Sequence, residues 1–380
     1  MKVAMYYPWI HLHGGIERVI FELVTRSRHE WRIFTSHYDP ADTFSEFRSV
    51  PVTELARVPV DRSLPAVLRA ACRIGRQRIP TDGCDALLVM SDGLGDLVTF
   101  RNRRVPLFAF CHTPLRAVFD PVYREQALGE RGPLGRAALR VAGAVFRMVD
   151  RRAWRSYAGV LVNSREVRRR ILAGGLYEDG PRLRVCHPGV DWEAFGGEAA
   201  YEPIVLAPGR IMWTKNLELA IEAFRRAALP APWKLVVAGF LDRKSRPYLE
   251  KLRRMALGAG QVEFVISPDE AHLRDLYRRA SVVLFPPLNE DWGLVPLEAM
   301  AAAKPVLATA RGGPTESILD GQTGFLLEPD PHRWAAAIQQ LSQDPRLCRQ
   351  MGERGRRHVR GFGWSEFAAT VDSTLEQWTA

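Results

Sequence analysis

Short apolar runs alternate with longer helical patterns along this chain, in two successive series. In the first, "KVAMYY" precedes the helical "GIERVIFELVTRS", and "DALLVM", "VPLFAF" and "AGVLVN" follow as strand-like runs. "SREVRRRIL" reads as a helix with Ser164 at its N-cap, where a hydroxyl can take a first-turn amide. The second series runs "PIVLAPG", "WKLVVAG", "VEFVI", "SVVLFP", "KPVLAT" and "GFLLEP", and each of the first five leads into a helical segment such as "NLELAIEAFRRAA". Strands that are apolar throughout need cover on both faces, which helices between parallel strands supply. The pattern therefore predicts an α/β chain with two doubly wound, Rossmann-like domains. A length of 380 residues also exceeds one ordinary core. The Gly/Pro-marked break at 188–200 divides the series, so the expected domains are 1–190 and 200–362. The last segment, "WSEFAATVDSTLEQW", is a lone amphipathic helix, and residues 363–380 are expected to pack back on the first domain. No internal repeat of short period and no low-complexity tract interrupts this order.

Composition narrows the function classes. No stretch approaches the ~20 apolar residues of a spanning helix. The start, "MKVAMYYPWI", runs straight into a strand and lacks a long apolar core with a small-residue cleavage site, so a secretory signal is not expected. The five cysteines at 72, 84, 111, 186 and 348 are scattered without metal-ligand spacing, which reads as buried thiols of a cytoplasmic protein. The net charge of +10 comes almost wholly from arginine. Such an excess suits an anionic small molecule, an anionic membrane surface or nucleic acid. It is equally what a GC-rich coding sequence leaves on a protein surface. Aromatic residues do not interleave with the arginines in a recognisable module, so nucleic acid is not an expected partner.

Open parallel sheets bind ligands beyond the carboxyl ends of their strands, and the chemically suggestive residues sit there. His13-Gly14-Gly15 lies between the first strand and the first helix, where glycine lets a backbone approach a ligand and helix amides favour an anion; a plain tight turn explains it as well. "SDGLGDLV" has Gly93 and Gly95 but Val98 where a dinucleotide fingerprint needs a third glycine, and no Walker lysine loop occurs. In "APGRIMWTKN", Arg210 and Lys215 follow a strand and could converge on a diphosphate, or be two solvated cations. In "FAFCHTPLR", His112 follows an apolar strand and is either a hydrogen-bonding or acid/base group or a satisfied core histidine. In "NEDWGLVPLEAM", Glu290 follows a strand and Glu298 falls in the first turn of the next helix. A carboxylate can accept two vicinal hydroxyls, and the amides of roughly 293–296 are unpaired within that helix and open to a phosphate. For Glu298 alone a helix-dipole role would suffice, and for Glu290 alone a loop position. No His/carboxylate cluster at metal-ligand spacing and no Asp-x-Asp occurs, so no metal is expected.

"NEDWGLVPLEAM" resembles the E-x7-E motif of retaining GT-B glycosyltransferases of family 4 (glycosyl transferases group 1). "GRIMWTKN" is similar to that family's G-R-x4-K-N segment, and "ARGGPTESILDGQTGFLLEP" to its GG-x-x-E signature. The early "GG", "CHTP" and "HPGVD" fall at family-like positions, so the resemblance spans nearly the whole chain. It implies a GT-B fold, two Rossmann-like domains facing a central cleft, with the acceptor bound by the first and a nucleotide diphosphosugar by the second, and no cofactor beyond that donor substrate. It assigns Glu290 to donor-sugar hydroxyls, Glu298 to the nucleotide ribose, and Arg210 and Lys215 to the diphosphate. The amides of Gly15, Leu294 and Val295 would join the diphosphate contact, with Gly14 and Gly293 giving the turns. His112 would contact the donor hexose near the reacting carbon. The "CHTP" form is similar to members that use GDP-mannose, which points to a mannosyltransferase of glycan biosynthesis. One departure concerns the base pocket: the family often carries F-L-G where this chain has "FVIS".

The implied activity is metal-independent, retaining transfer of a hexose to a hydroxyl of a glycan, lipid-linked or small-molecule acceptor. Glu290 as a covalent nucleophile is the other chemistry for this pair. A nucleotide-sugar epimerase or phosphorylase of the same architecture would share the phosphate residues, and a non-catalytic binding protein would have no need of Glu290, Arg210 and Lys215. The segment 135–156, "GRAALRVAGAVFRMVDRRAWRS", is apolar with regularly placed arginines. It could make a peripheral contact with an anionic membrane at the inner face. The plainer expectation is a helix packed on its own sheet with arginines on the wet face.

Overall fold

A computed structural model describes every residue except Arg62, Glu130, Arg131 and Gly196. The first sheet comprises β1 (Lys2–Tyr6), β2 (Glu30–Thr35), β3 (Val52–Glu54), β4 (Ala86–Ser91), β5 (Leu107–Cys111), β6 (Gly159–Val162) and β7 (Leu183–Val185), in the order β3-β2-β1-β4-β5-β6-β7. The second comprises β8 (Ile204–Pro208), β9 (Lys234–Gly239), β10 (Gln261–Ile266), β11 (Val282–Phe285), β12 (Val306–Thr309) and β13 (Gly324–Leu327), in the order β10-β9-β8-β11-β12-β13. All the recorded pairings are parallel, for example Val3 with Ala86 and Val283 with Leu206. Both sheets thus reverse their winding once, between β1 and β4 and between β8 and β11. A crevice opens at such a reversal because the flanking loops diverge to opposite faces.

The helices cover both faces. In the first sheet's series these are α1 (Gly15–Arg26), α2 (Leu64–Ile74), α3 (Arg116–Phe119), α4 (Pro121–Gly129), α5 (Pro133–Trp154) and α6 (Arg165–Gly174). In the second they are α7 (Leu217–Ala227), α8 (Arg246–Ala256), α9 (Glu270–Arg279), α10 (Val295–Ala301), α11 (Pro314–Ser317), α12 (Pro331–Gln343) and α13 (Pro345–His358). Ser164 caps α6 by accepting from Val167 N–H at 3.1 Å, and Gly175 ends that helix in the left-handed region. The three-residue strands β3 and β7 and the polar-apolar β2 have no clear apolar run to mark them in the sequence.

The chain divides into two units, Met1–Pro188 with Trp364–Ala380, and Gly189–Gly363. The segment after Pro188 already belongs to the second, where Val190 N–H donates to Phe362 O at 2.9 Å. The final helix, α14 (Trp364–Thr379), lies in the first unit against α1. Asp372 accepts from Ser27 Oγ at 2.6 Å and from Arg28 N–H at 2.9 Å. Trp378 lies over Gly159, where an added Cβ would collide with the indole, and Phe367 meets Phe110 edge-on.

Two expectations are corrected. α5 does not simply turn its arginines to water. Ala153 and Trp154 are buried and Phe146 and Val149 pack on the core, but Leu134, Val141, Val145 and Met148 are exposed. Cys72 is exposed, whereas the other four free cysteines are buried.

Candidate active site

The loops leaving β8 and β11 flank the reversal point of the second sheet, and they meet. Lys215 Nζ lies 2.7 Å from Glu290 Oε2, both side chains about one-sixth exposed, at 17% and 16%. Asn216, next in the β8 loop and itself left-handed at φ 49°, donates from Nδ2 to Pro286 O at 3.2 Å. These bonds tie the two loops together where the sheet opens. A lysine ammonium has three donors, so one bond to Glu290 leaves others for an anion. Arg210, in the same β8 loop, is exposed.

Glu290 is held by backbone as well as by Lys215. Its carbonyl accepts from Gly313 N–H at 2.9 Å. Gly312 has φ +70°, and a Cβ there would collide with Glu290 O, while a Cβ on Gly313 would collide with Trp292. The adjacent glycines after β12 therefore let the Glu290 loop lie directly on that backbone. Gly293, at φ +90°, likewise has room for no side chain against the Phe285 ring. Leu294 is the N-cap of α10 and Val295 its first residue, with no side chain capping the end. The first backbone bond there is Glu298 N–H to Leu294 O at 2.9 Å, so the amides before it have no partner within the helix.

Glu298 Oε2 accepts from the Tyr277 hydroxyl at 2.6 Å. Tyr277 is fully buried, and burial together with the adjacent carboxylate raises its hydroxyl pKa well above the ordinary tyrosine value. A neutral, fixed donor thus orients Glu298. Sequence reasoning missed Tyr277 because a tyrosine on an amphipathic helix reads as core. At the departure "FVIS", Ser267 adopts φ +50°. Its amide donates to Gly239 O at 2.9 Å and its hydroxyl accepts from Leu241 N–H at 3.4 Å. The chain takes a left-handed turn there without a glycine.

The first unit holds the remaining candidates. Gly14 precedes α1, and a Cβ on it would collide with the Glu17 carboxylate, whereas Gly15 has open space around it. The acid in that first turn occupies part of the region an anion would favour. His112 follows β5, its carbonyl accepting from Asn163 Nδ2 at 2.9 Å and its ring tilted against Phe110. Burial lowers its pKa to about 3, so the ring is neutral near neutrality. Nε2 is buried with no hydrogen-bond partner among the described residues, leaving a neutral imidazole able to donate to or accept from a ligand hydroxyl. The buried Arg170 was not picked out by sequence: its Nε pairs with Glu166 at 2.9 Å and it lies 3.6 Å from Asp120, behind the His112-Thr113 loop. Gly93 and Gly95 serve packing, against Leu115 and Pro8. Among the described residues no cluster of three or more His, Cys, Asp or Glu side chains could hold a metal, and no helix is long and apolar enough to cross a membrane.

Residues 191–358 match the model of the glycosyl transferases group 1, and residues 13–194 that of Glycosyltransferase Family 4. The D-inositol 3-phosphate glycosyltransferase 1 of Catenulispora acidiphila is 31% identical over 73% of this chain and 68% of its own length. The chain belongs to glycosyltransferase family 4. Another relative, the Alpha-1,3/1,6-mannosyltransferase ALG2 of Rhizomucor pusillus, is 25% identical over 99% of this chain and 91% of its own. Among solved structures, Anabaena Alr3699/HepE in complex with UDP-glucose matches with a TM-score of 0.74 at 17% identity, covering 99% of this chain and 100% of that one. The fold of this family 4 protein is accordingly GT-B, and its general activity is that of a nucleotide-sugar glycosyltransferase.

Proposed function

We propose that this protein transfers a hexose from a nucleotide diphosphosugar to a hydroxyl with retention and without a metal, and that the second unit grips the donor. The observation that carries the reading is the Lys215–Glu290 pair at the reversal point; Glu298, in the first turn of the helix that follows, is fixed by Tyr277. Glu290 takes hydroxyls of the donor hexose and Glu298 those of the ribose. Arg210 and the remaining Lys215 donors take the diphosphate, with the amides at Gly293, Leu294 and Val295. Gly15, following Gly14, is proposed for a further amide contact. The same reading gives His112 a contact with the hexose as a neutral hydrogen-bonding group, since a histidine whose pKa is about 3 carries no proton charge to transfer near neutrality.

In the reaction, the bond from the anomeric carbon to the diphosphate oxygen breaks and a bond to the acceptor oxygen forms on the same face. The acceptor's proton passes to the departing phosphate oxygen, whose growing charge Arg210 and Lys215 stabilise. Mannose from GDP-mannose is the preferred donor, supported by the "CHTP" segment and by the mannosyltransferase relative. Loss of one charge-assisted contact costs roughly 1.5–3 kcal/mol, or about ten- to hundredfold in rate. Lys215→Ala and Glu290→Gln should each lower transfer by that factor with the far-ultraviolet circular dichroism spectrum unchanged. Near wild-type turnover in both variants would remove the assignment. Thermal shift with GDP-mannose against UDP-glucose tests the donor, because a ligand that binds the folded state raises its melting temperature.

A further inference from the structure

The outward face of α5 is an aliphatic stripe. Leu134, Val141, Val145 and Met148 are 88%, 65%, 52% and 68% exposed. Their spacings of seven, four and three residues place them on one helical face. Continuing by four and three residues, the same face reaches Arg152 and Arg155. The one acid in α5, Asp150, is buried, so the helix presents no carboxylate to water. Arg152 and Arg155, with Arg103 and Ser156, line a cavity of about 260 Å3 that reaches Leu107 and Ala158 at the amino-terminal ends of β5 and β6. That is the end of the strands opposite to His112. The Ser156 hydroxyl is buried there with no hydrogen-bond partner among the described residues.

An aliphatic strip leading into an arginine-lined cavity has the polarity order of an acidic amphiphile. We propose that this face of α5 docks on an anionic lipid bilayer, its aliphatic side chains entering the acyl boundary and its terminal cavity receiving a phosphate-bearing headgroup. Charge decides the occupant. Arg140 and Arg151 lie together along one side of the stripe, and α5 itself exposes no acid, so this helix offers only cations and aliphatic side chains. A second copy of the same face would set arginine against arginine or against aliphatic side chains, whereas anionic phospholipid supplies both complements.

Flotation of the full chain with phosphatidylcholine vesicles, with and without phosphatidylglycerol, tests the proposal. Wild type should float only with the anionic vesicles and be released by salt. Val145→Asp with Met148→Asp should abolish flotation. Arg152→Ala with Arg155→Ala should weaken it roughly 25-fold, at about fivefold per arginine. These side chains are exposed, so melting temperatures should stay near wild type. Hydrogen exchange of the unmodified protein gives an arm that needs no variant: residues 133–155 should gain protection on anionic vesicles and not with inorganic phosphate alone. Failure of wild type to float, flotation unaffected by both variants, protection by inorganic phosphate alone, or a concentration-dependent dimer abolished by the aspartates would each overturn the proposal. None of these measurements requires donor or transfer, so their failure and failure of the proposed activity are separable.

Discussion

The two units share one winding and differ in how they treat charge. At the reversal of the second sheet, opposite charges lie together: Lys215 on Glu290, with Tyr277 donating to Glu298. In the first unit, besides the buried Arg170–Glu166 pair, several titratable groups are instead buried and held neutral. His112 is held uncharged, and burial pushes Asp96 up to about 6, although it accepts from Tyr157 at 2.6 Å and from Ser91 at 2.7 Å. Burial, and then the neighbouring Asp96, raise Asp150 well above the ordinary carboxyl range. The same sheet order thus supports a polar grip in one case and a proton-holding interior in the other, because the loops and helices rather than the strands set the local chemistry.

The sharpest way to break the comparison is at the backbone beneath Glu290. Gly312→Ala forces a Cβ into the left-handed region and onto Glu290 O. It should cost ~1–3 kcal/mol of stability and more than the stability loss alone explains in transfer rate, read by denaturant melts beside donor kinetics. A side chain tolerated there without loss would show that the Glu290 loop is not held by the glycine pair.

Proton linkage separates the units next. Asp96 has a folded pKa above its unfolded value, so the folded state binds the extra proton. Its contribution is fully present below the ordinary aspartate pKa of about 3.9 and is lost as pH rises through about 6. Asp96→Asn should therefore raise the melting temperature more at about pH 7 than at about pH 4. In the second unit Lys304 is fully buried, its ammonium donating to Ala200 O over the Tyr201 ring. Burial, then Arg356, lowers its pKa to about 7, so its contribution grows as pH rises from there toward the ordinary lysine value. Hydrogen exchange resolved by unit should show opposite slopes, the first unit weakening from about pH 4 to 6 and the second strengthening above about pH 7.

Smaller effects sharpen the grip itself. Tyr277→Phe removes the donor to Glu298 and should weaken donor binding by roughly tenfold, measured by calorimetry. Ser267→Gly relieves a left-handed serine and gives up one 3.4 Å bond, so stability should rise by ~0.5–1 kcal/mol or less, while donor-base preference reads out any role of the hydroxyl.

The strand–helix alternation made the two parallel sheets legible, and position after a strand singled out Lys215 and Glu290, whose side chains meet. Pairing was not legible. Nothing in the sequence places Lys215 on Glu290 across 75 residues, nor Tyr277 on Glu298 across two elements. The role of Gly312-Gly313 was hidden for a related reason: a glycine's purpose is set by what approaches it. For α5, helical periodicity gave the stripe but not its sign, because an aliphatic face looks alike whether protein or water lies against it. The short strands β3 and β7 are too brief for any periodic signal.

The return of α14 to the first unit has a consequence for the order of synthesis. Residues 1–188 leave the ribosome long before the chain reaches Trp364, yet Gly159 waits for the indole of Trp378, and Ser27 and Arg28 for the carboxylate of Asp372. The half made first is the half finished last. A chain stopped ahead of residue 364 would carry its second unit entire and leave its first unit open along α1 and β6.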